Sequence, residues 1–375
     1  MTPTNNLQKL KSVHAGHSLD GIWTRFVGLE SSTGKQTAHG PHKCQGLYWT
    51  PEGINPTTAF ILVHYNGDFS EHYLAPLLAV RGYGVLGWNT RFRGAEDLFS
   101  LNEALDDIAA GTRWLLKEVG VKNLIFIGNS GGGSLMAAFH AHALKDPSLG
   151  PAKLFITLNA HSGRPTVLTD WLDPSVIDET DPTKIDFELD MFNPANGPPY
   201  SEGFQKRYRA AQVARNHRIT KWAREELERL NDAGISDRIF PLHRTMADLR
   251  FLDATLDPSK RQVPGCYLGH PAKANRSVSM LGRANTLRTW LSMWSLQDSK
   301  CKFDAYADKI TVPALVIQSL ADAGVYPFDA RHLYESLASK DKEIVWVEGT
   351  HFFENNERDR EKVVDVIDEW VKKRV

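Results

Sequence analysis

The stretch that decides the fold is N-L-I-F-I-G-N-S-G-G-G-S-L-M-A-A-F-H-A-H-A-L, residues 123–144. It begins with an apolar, β-branched and aromatic run, Leu124-Ile125-Phe126-Ile127, and turns through Gly128-Asn129-Ser130-Gly131-Gly132. It leaves as an Ala-rich segment, Ser134 to Leu144, with strong helix propensity. Strand, tight glycine turn and helix in that order hold a serine hydroxyl out at a sheet edge, and G-x-S-x-G in that setting is a nucleophile elbow. Ser130 is expected in strained backbone, with small neighbours that let strand and helix approach without Cβ clashes. At the start of a helix the unpaired N–H groups and the helix dipole are placed to stabilise an oxyanion beside it. Taken alone, the motif also fits a glycine-rich turn that binds nothing, so its weight depends on partners elsewhere in the chain.

Outward from this stretch, strands and helices alternate. Residues 59–64 form a continuous apolar run, as expected of a strand buried on both faces of a parallel sheet, and 83–88 and 153–159 read likewise. Helices are expected over 70–81 and within 96–119, where Leu105, Ile108, Ala109, Trp114, Leu115 and Leu116 fall on or near one face. Strands are expected again at 313–318 and 343–347, with helices over 328–338 and 359–372. This is the pattern of a doubly wound α/β sheet with right-handed crossovers. Upstream, 19–29 and 44–50 alternate apolar and polar residues and read as an antiparallel pair at a sheet edge. Residues 30–43 would connect them, and 1–17 read as a loose arm.

Between 161 and 301 the alternation stops. Residues 170–200 are rich in Pro, Asp and Asn, and a long helix is expected over 203–230, closed by Gly234. Mixed apolar segments follow, among them LRTWLSMW at 287–294. The segment reads as an inserted, mainly helical cap. The expected organisation is a core in two parts, 1–160 and 301–375, with the cap at 161–300.

A serine hydroxyl is a weak nucleophile until a base takes its proton, and the base needs a group to orient and charge-balance it. In a parallel sheet such groups belong just past the C-terminal strand ends, on the same edge as Ser130. One candidate stands at each place. Asp322 follows the strand at 313–318, in S-L-A-D-A-G-V, and His351 follows the strand at 343–347, in E-G-T-H-F-F. The order Ser, Asp, His is the one associated with the elbow.

On GNSGG, LADAGV and EGTH, the chain resembles the α/β-hydrolase superfamily of serine hydrolases over roughly 45–160 and 300–375. The resemblance implies an eight-stranded, mostly parallel sheet, a Ser130–His351–Asp322 triad and a cap inserted after the sixth strand. It also implies an oxyanion hole with one N–H from the residue after the nucleophile, Gly131, and a second from the loop after the third strand. That loop reads His64-Tyr65-Asn66-Gly67, where Asn66 is the expected donor and Tyr65, which replaces the usual glycine, the alternative. The Tyr65 side chain is open to three readings, as a wall of the acyl pocket, as a hydroxyl given to the substrate, or as packing under the cap. The expected activity is cleavage of a carboxylic ester of a fairly hydrophobic small molecule, with no cofactor and no metal. The same triad would serve a thioester, amide, lactone or carbon–carbon bond, or acyl transfer, and a non-catalytic small-molecule binding protein is the rival from another class.

Other residues carry less. His161, at the end of the strand at 153–159, is a candidate pocket residue. Arg91 and Arg93 read as structural. His140 and His142 are two apart on a helix and do not share a face as metal ligands would. Trp171, Trp222, Trp290 and Trp294 suit an apolar pocket under a cap or an ordinary core. The basic segment at 206–218 reads as a solvated face, with an anionic substrate tail or a coenzyme A phosphate as the other partner, and a nucleic acid met through 206–224 is a weaker alternative. A net charge of −1 gives no overall pull toward nucleic acid or an anionic membrane. The first residues lack an apolar signal core and no stretch is long and apolar enough to span a membrane, so a cytoplasmic protein is expected. The three cysteines, Cys44, Cys266 and Cys301, have no metal-ligand or disulfide spacing.

Overall fold

A computed structural model of the chain describes residues 21–30, 44–278 and 280–375. The arm expected at 1–17 and the connection expected at 30–43, beyond residue 30 itself, lie outside these residues. Among these residues ten strands form: β1 (Ile22–Leu29), β2 (Cys44–Pro51), β3 (Thr58–His64), β4 (Gly84–Asn89), β5 (Asn123–Asn129), β6 (Leu154–Leu158), β7 (Ile239–Pro241), β8 (Ala284–Thr286), β9 (Ala314–Ser319) and β10 (Lys342–Val347). Eight of them make one sheet in the order β1-β2-β4-β3-β5-β6-β9-β10, and β7 and β8 pair separately. Within the large sheet β1 with β2 and β2 with β4 are antiparallel, and the remaining neighbours are parallel. The helices are α1 (Ala75–Val80), α2 (Leu101–Trp114), α3 (Gly132–Ala143), α4 (Arg164–Trp171), α5 (Glu202–Asp232), α6 (Pro271–Asn275), α7 (Leu287–Thr289), α8 (Pro327–Ser336) and α9 (Glu357–Lys372).

The apolar runs work as their composition requires. Successive side chains of a strand point to opposite faces, so a run without polar residues needs cover on both. On β3, Ala59, Ile61 and Val63 pack with Leu105, Ile108 and Phe139 of α2 and α3. Phe60 and Leu62 point the other way, to Leu78 of α1 and Val363 and Ile367 of α9. β5 divides in the same manner, Leu124 and Phe126 to one core and Ile125 and Ile127 to the other.

Element boundaries depart from expectation where proline and glycine intervene. The helix expected at 70–81 begins only at Ala75, with a proline in its first turn, a residue tolerated there and costly further in. The one expected within 96–119 breaks into a short 3-10 turn (Glu96–Leu98), α2 and a π-helical turn (Leu115–Val119) that Gly120 ends at φ 81°.

The segment between β6 and β9 needs a larger correction. Its regular structure is mostly helix, dominated by α5, but most of it is irregular, and β7 and β8 were too short for any periodicity to reveal. Ser201 starts α5 by accepting the Phe204 N–H on its hydroxyl. Before α5 the Asp and Asn residues write the path. The side chains of Asp173, Asp178, Asp181, Asp186, Asp190 and Asn193 each accept the backbone N–H two residues on. Such a bond offers the backbone a turn in place of helix or strand. A fully buried Arg215 ties the segment together, donating to both Glu179 carboxylate oxygens and to the carbonyls of Asp173, His243 and Arg244.

Candidate active site

Ser130 follows β5 directly and has φ 55°, a left-handed conformation that a non-glycine residue adopts only under constraint. Its N–H donates to the Leu158 carbonyl of β6 at 3.0 Å. The constraint comes from neighbours without side chains. A Cβ on Gly128 would lie 2.5 Å from the Gly133 Cα, and one on Gly132 would lie 2.4 Å from the Val63 carbonyl oxygen. Helix α3 therefore leaves the strand at a turn too tight for any larger residue.

Asp322 follows β9 and is buried. Its Oδ1 accepts the N–H groups of Gly324 and Val325 at 2.8 and 2.9 Å, which leaves Oδ2 for His351 Nδ1 at 2.6 Å. Burial pulls the His351 pKa down, but the charge and hydrogen bond of Asp322 outweigh it and hold the imidazole above its ordinary value. With Nδ1 held by the carboxylate, Nε2 is the atom left to exchange protons.

Asn159, which the sequence reading did not single out, fastens this edge. It sits just past β6 at φ 45°. Its Nδ2 donates to the His351 carbonyl at 2.9 Å, and its Oδ1 accepts from the Ser319 N–H and hydroxyl at 2.7 and 2.9 Å. One amide thus joins the ends of β6, β9 and the histidine loop. Asparagine is among the few side chains that tolerate positive φ, which is the only signal the sequence held.

Ser130 and His351 line one cavity of about 360 Å³, a size that suits a small molecule. Its apolar wall includes Phe69, Val167, Trp171, Leu281, Val325 and Phe352, and its polar wall includes His64, Asn66, His161 and Arg164. Gly131 lies just behind that wall, since a Cβ on it would come within 3.1 Å of both His64 Nε2 and Arg164 Nε. Among the described residues neither the Gly131 nor the Asn66 N–H has a hydrogen-bond acceptor.

Tyr65 faces elsewhere. Its ring packs in the core against Phe99, its hydroxyl meets Ser134 Oγ at 3.0 Å, and it forms no part of the cavity wall. The pocket-wall and substrate-hydroxyl readings of its side chain are corrected accordingly: the bulky ring turns under the sheet edge, where a large apolar body finds cover. His161 does line the cavity. Its Nδ1 accepts the Gly163 N–H, and burial, helped by the charges of Arg164 and His351, pushes its pKa down to about 3. His64 Nδ1 likewise accepts from Gly67, and burial with Arg164 holds its pKa well below the ordinary value. Both imidazoles are therefore neutral at physiological pH with the proton on Nε2. Arg164, at the start of α4, is a further cavity residue that sequence reading missed. One arginine in H-S-G-R-P carries no pattern of its own.

The remaining candidates have structural partners. Arg91 is buried in a bidentate pair with Asp107, and Arg93 meets Asp68. Of the basic segment, Arg209, Arg215 and Arg224 pair with Asp248, Glu179 and Asp298. Of the four tryptophans, Trp171 lines the cavity, Trp222 borders a separate groove, and Trp290 and Trp294 are core. His140 is buried and accepts the Ala152 N–H. No helix among the described residues is long and apolar enough to cross a membrane, and no cluster of candidate metal ligands occurs among them.

No family model and no curated protein matches the chain. Solved structures do. The α/β hydrolase GrgF from Penicillium sp. sh18 superposes with a TM-score of 0.54 at 12% identity, over 94% of this chain and 98% of that one. DcsB, in a complex with its substrate analogue, gives a TM-score of 0.54 at 12% identity, over 94% and 99%. At such identity the likeness speaks for the fold alone: the chain has the α/β-hydrolase fold.

Proposed function

We propose that the protein is a serine hydrolase that cleaves a carboxylic ester of a small molecule through an acyl-enzyme on Ser130. The observation that carries this reading is the Asp322–His351 hydrogen bond of 2.6 Å, made at the rim of the cavity that Ser130 enters in strained backbone. In this mechanism Ser130 Oγ attacks the carbonyl carbon as His351 Nε2 takes its proton. Asp322 holds the imidazole and stabilises the imidazolium. The N–H groups of Gly131 and Asn66 receive the developing oxyanion. Collapse expels the alcohol, which takes the proton from His351, and a water activated by the same nitrogen releases the acid. Residues 161–300 act as the cap, supplying Val167, Trp171, Tyr267 and Leu281 to the wall against which the apolar part of the ester packs.

The test is turnover of p-nitrophenyl esters of rising chain length by the wild type and by Ser130→Ala. The expected result is hydrolysis by the wild type and a loss of about 10⁴-fold or more in the variant, with the circular dichroism spectrum unchanged. Near wild-type turnover in Ser130→Ala would refute the mechanism.

A further inference from the structure

We propose that Arg164 determines specificity: its guanidinium receives a carboxylate carried by the substrate, close to the scissile ester bond. The inference rests on the hydrolase reading and adds a substrate class to it, esters that bear a second, anionic group.

Arg164 is 3% exposed and lines the cavity. Among the described residues no carboxylate lies within 4.0 Å of it, whereas the buried Arg91, Arg215 and Arg244 each have one, and the buried Arg261, which has none, spends its donors on the carbonyls of Asp253, Leu256 and Asp257. Its Nη2 donates to Asn66 Oδ1 at 2.9 Å, and its Nε, buried beside Gly131, has no acceptor among the described residues. The guanidinium lies over the rings of Tyr65 and Trp294, 4.9 and 5.3 Å from their centroids. Aromatic faces hold a cation in place but do not neutralise it. A cation taken out of water without a counter-charge is costly, so a fold that retains one points to an anion arriving from outside.

The groups around it strengthen the case. His64 and His161 are neutral donors toward the cavity, and the free N–H groups of Gly131 and Asn66 are donors too. The nearby carboxylates are committed or lie beyond ion-pair distance. Asp322 serves His351, and Asp68 is taken by Arg93, Asn89 and the Ser70 N–H. Glu96 acts on Arg164 at longer range. Its Oε2 takes the Gly282 N–H, and burial raises its pKa. The cavity thus offers donors and a cation and lacks a free acceptor of matching strength. A carboxylate suits the planar fork of the guanidinium.

Mono-p-nitrophenyl glutarate and p-nitrophenyl pentanoate are matched in acyl length and differ in the terminal carboxylate. The wild type is expected to favour the glutarate ester in kcat/KM by about 10- to 100-fold, from a charge-assisted contact. Arg164→Gln should erase that ratio by raising KM for the glutarate ester, and Arg164→Lys should keep part of it. A wild type without the preference, or a variant that loses kcat equally on both esters, would overturn the proposal and leave Arg164 as a tether for Asn66. Free glutarate supplies a second readout, since it should raise the wild-type Tm and slow fluorophosphonate labelling of Ser130, while pentanamide does neither. No glutarate effect on Tm also overturns the proposal. If fluorophosphonate fails to label Ser130, the hydrolase reading falls, and the glutarate Tm shift in wild type and Arg164→Lys still decides the anion site.

Discussion

At the C-terminal edge of the large sheet the backbone places the side chains; in the segment between β6 and β9 the side chains place the backbone. Ser130, Asp322 and His351 follow β5, β9 and β10 on one edge of the sheet, where Asp322 and His351 share a hydrogen bond and Ser130 and His351 line one cavity. The intervening segment has no such register over most of its length. Its path follows Asx turns from Asp173 to Asn193 and the buried fork of Arg215. Two kinds of substitution should therefore have separable consequences, one on chemistry and the other on stability.

The largest expected effect belongs to the sheet edge. Asp322→Asn keeps the shape but presents the wrong hydrogen-bonding partner to His351 Nδ1, and turnover should fall by about 10⁴-fold. Unfolding by urea should shift far less. A modest fall in turnover would mean that another carboxylate, with Glu354 the nearest candidate, orients the histidine.

Arg215→Met comes next and acts on the insert. Removing the cation strands the carbonyls of Asp173, His243 and Arg244 and the Glu179 carboxylate, and loss of such a buried partner costs about 3–5 kcal/mol. Urea denaturation followed by tryptophan fluorescence reads it. A midpoint close to wild type would show that the Asx turns hold the insert without the arginine.

Asn159→Ala tests where the two regimes meet, because this residue directly follows β6. Its amide serves the His351 loop and the end of β9 at once, so both stability and turnover should suffer. Each stranded buried group costs about 1–3 kcal/mol, and kcat should drop more than KM rises. A loss of stability with kcat intact would separate the anchoring of β9 from the placing of His351.

This division also explains what could be read in advance. Runs such as Phe60-Ile61-Leu62-Val63 have one physical solution, a strand covered on both faces, so the α/β alternation was legible. Candidate site residues at strand ends followed from it. Tyr65 was ambiguous because an aromatic ring fits a pocket wall and a core equally well, and only the position of Ser134 and Phe99 decides. β7 and β8, at three residues each, are too short to show a period. Arg164 was invisible for another reason. What makes it informative is the carboxylate it lacks, and a missing partner is a property of three-dimensional packing.

The central claim, that a histidine charge-balanced by Asp322 activates Ser130, is tested most directly by the pH dependence of fluorophosphonate labelling, with the modified residue located by peptide mass analysis. His351 must be neutral to take the proton, and Asp322 holds its pKa above the ordinary 6.5, so labelling should fall as pH drops, with a midpoint above 6.5. In Asp322→Asn burial is opposed only by the charge of Glu354, so the midpoint should fall below that of the wild type and the plateau rate should collapse. Label on Ser130 with this profile is the expected result; label elsewhere, or a rate on Ser130 indifferent to pH and to Asp322, would contradict the account.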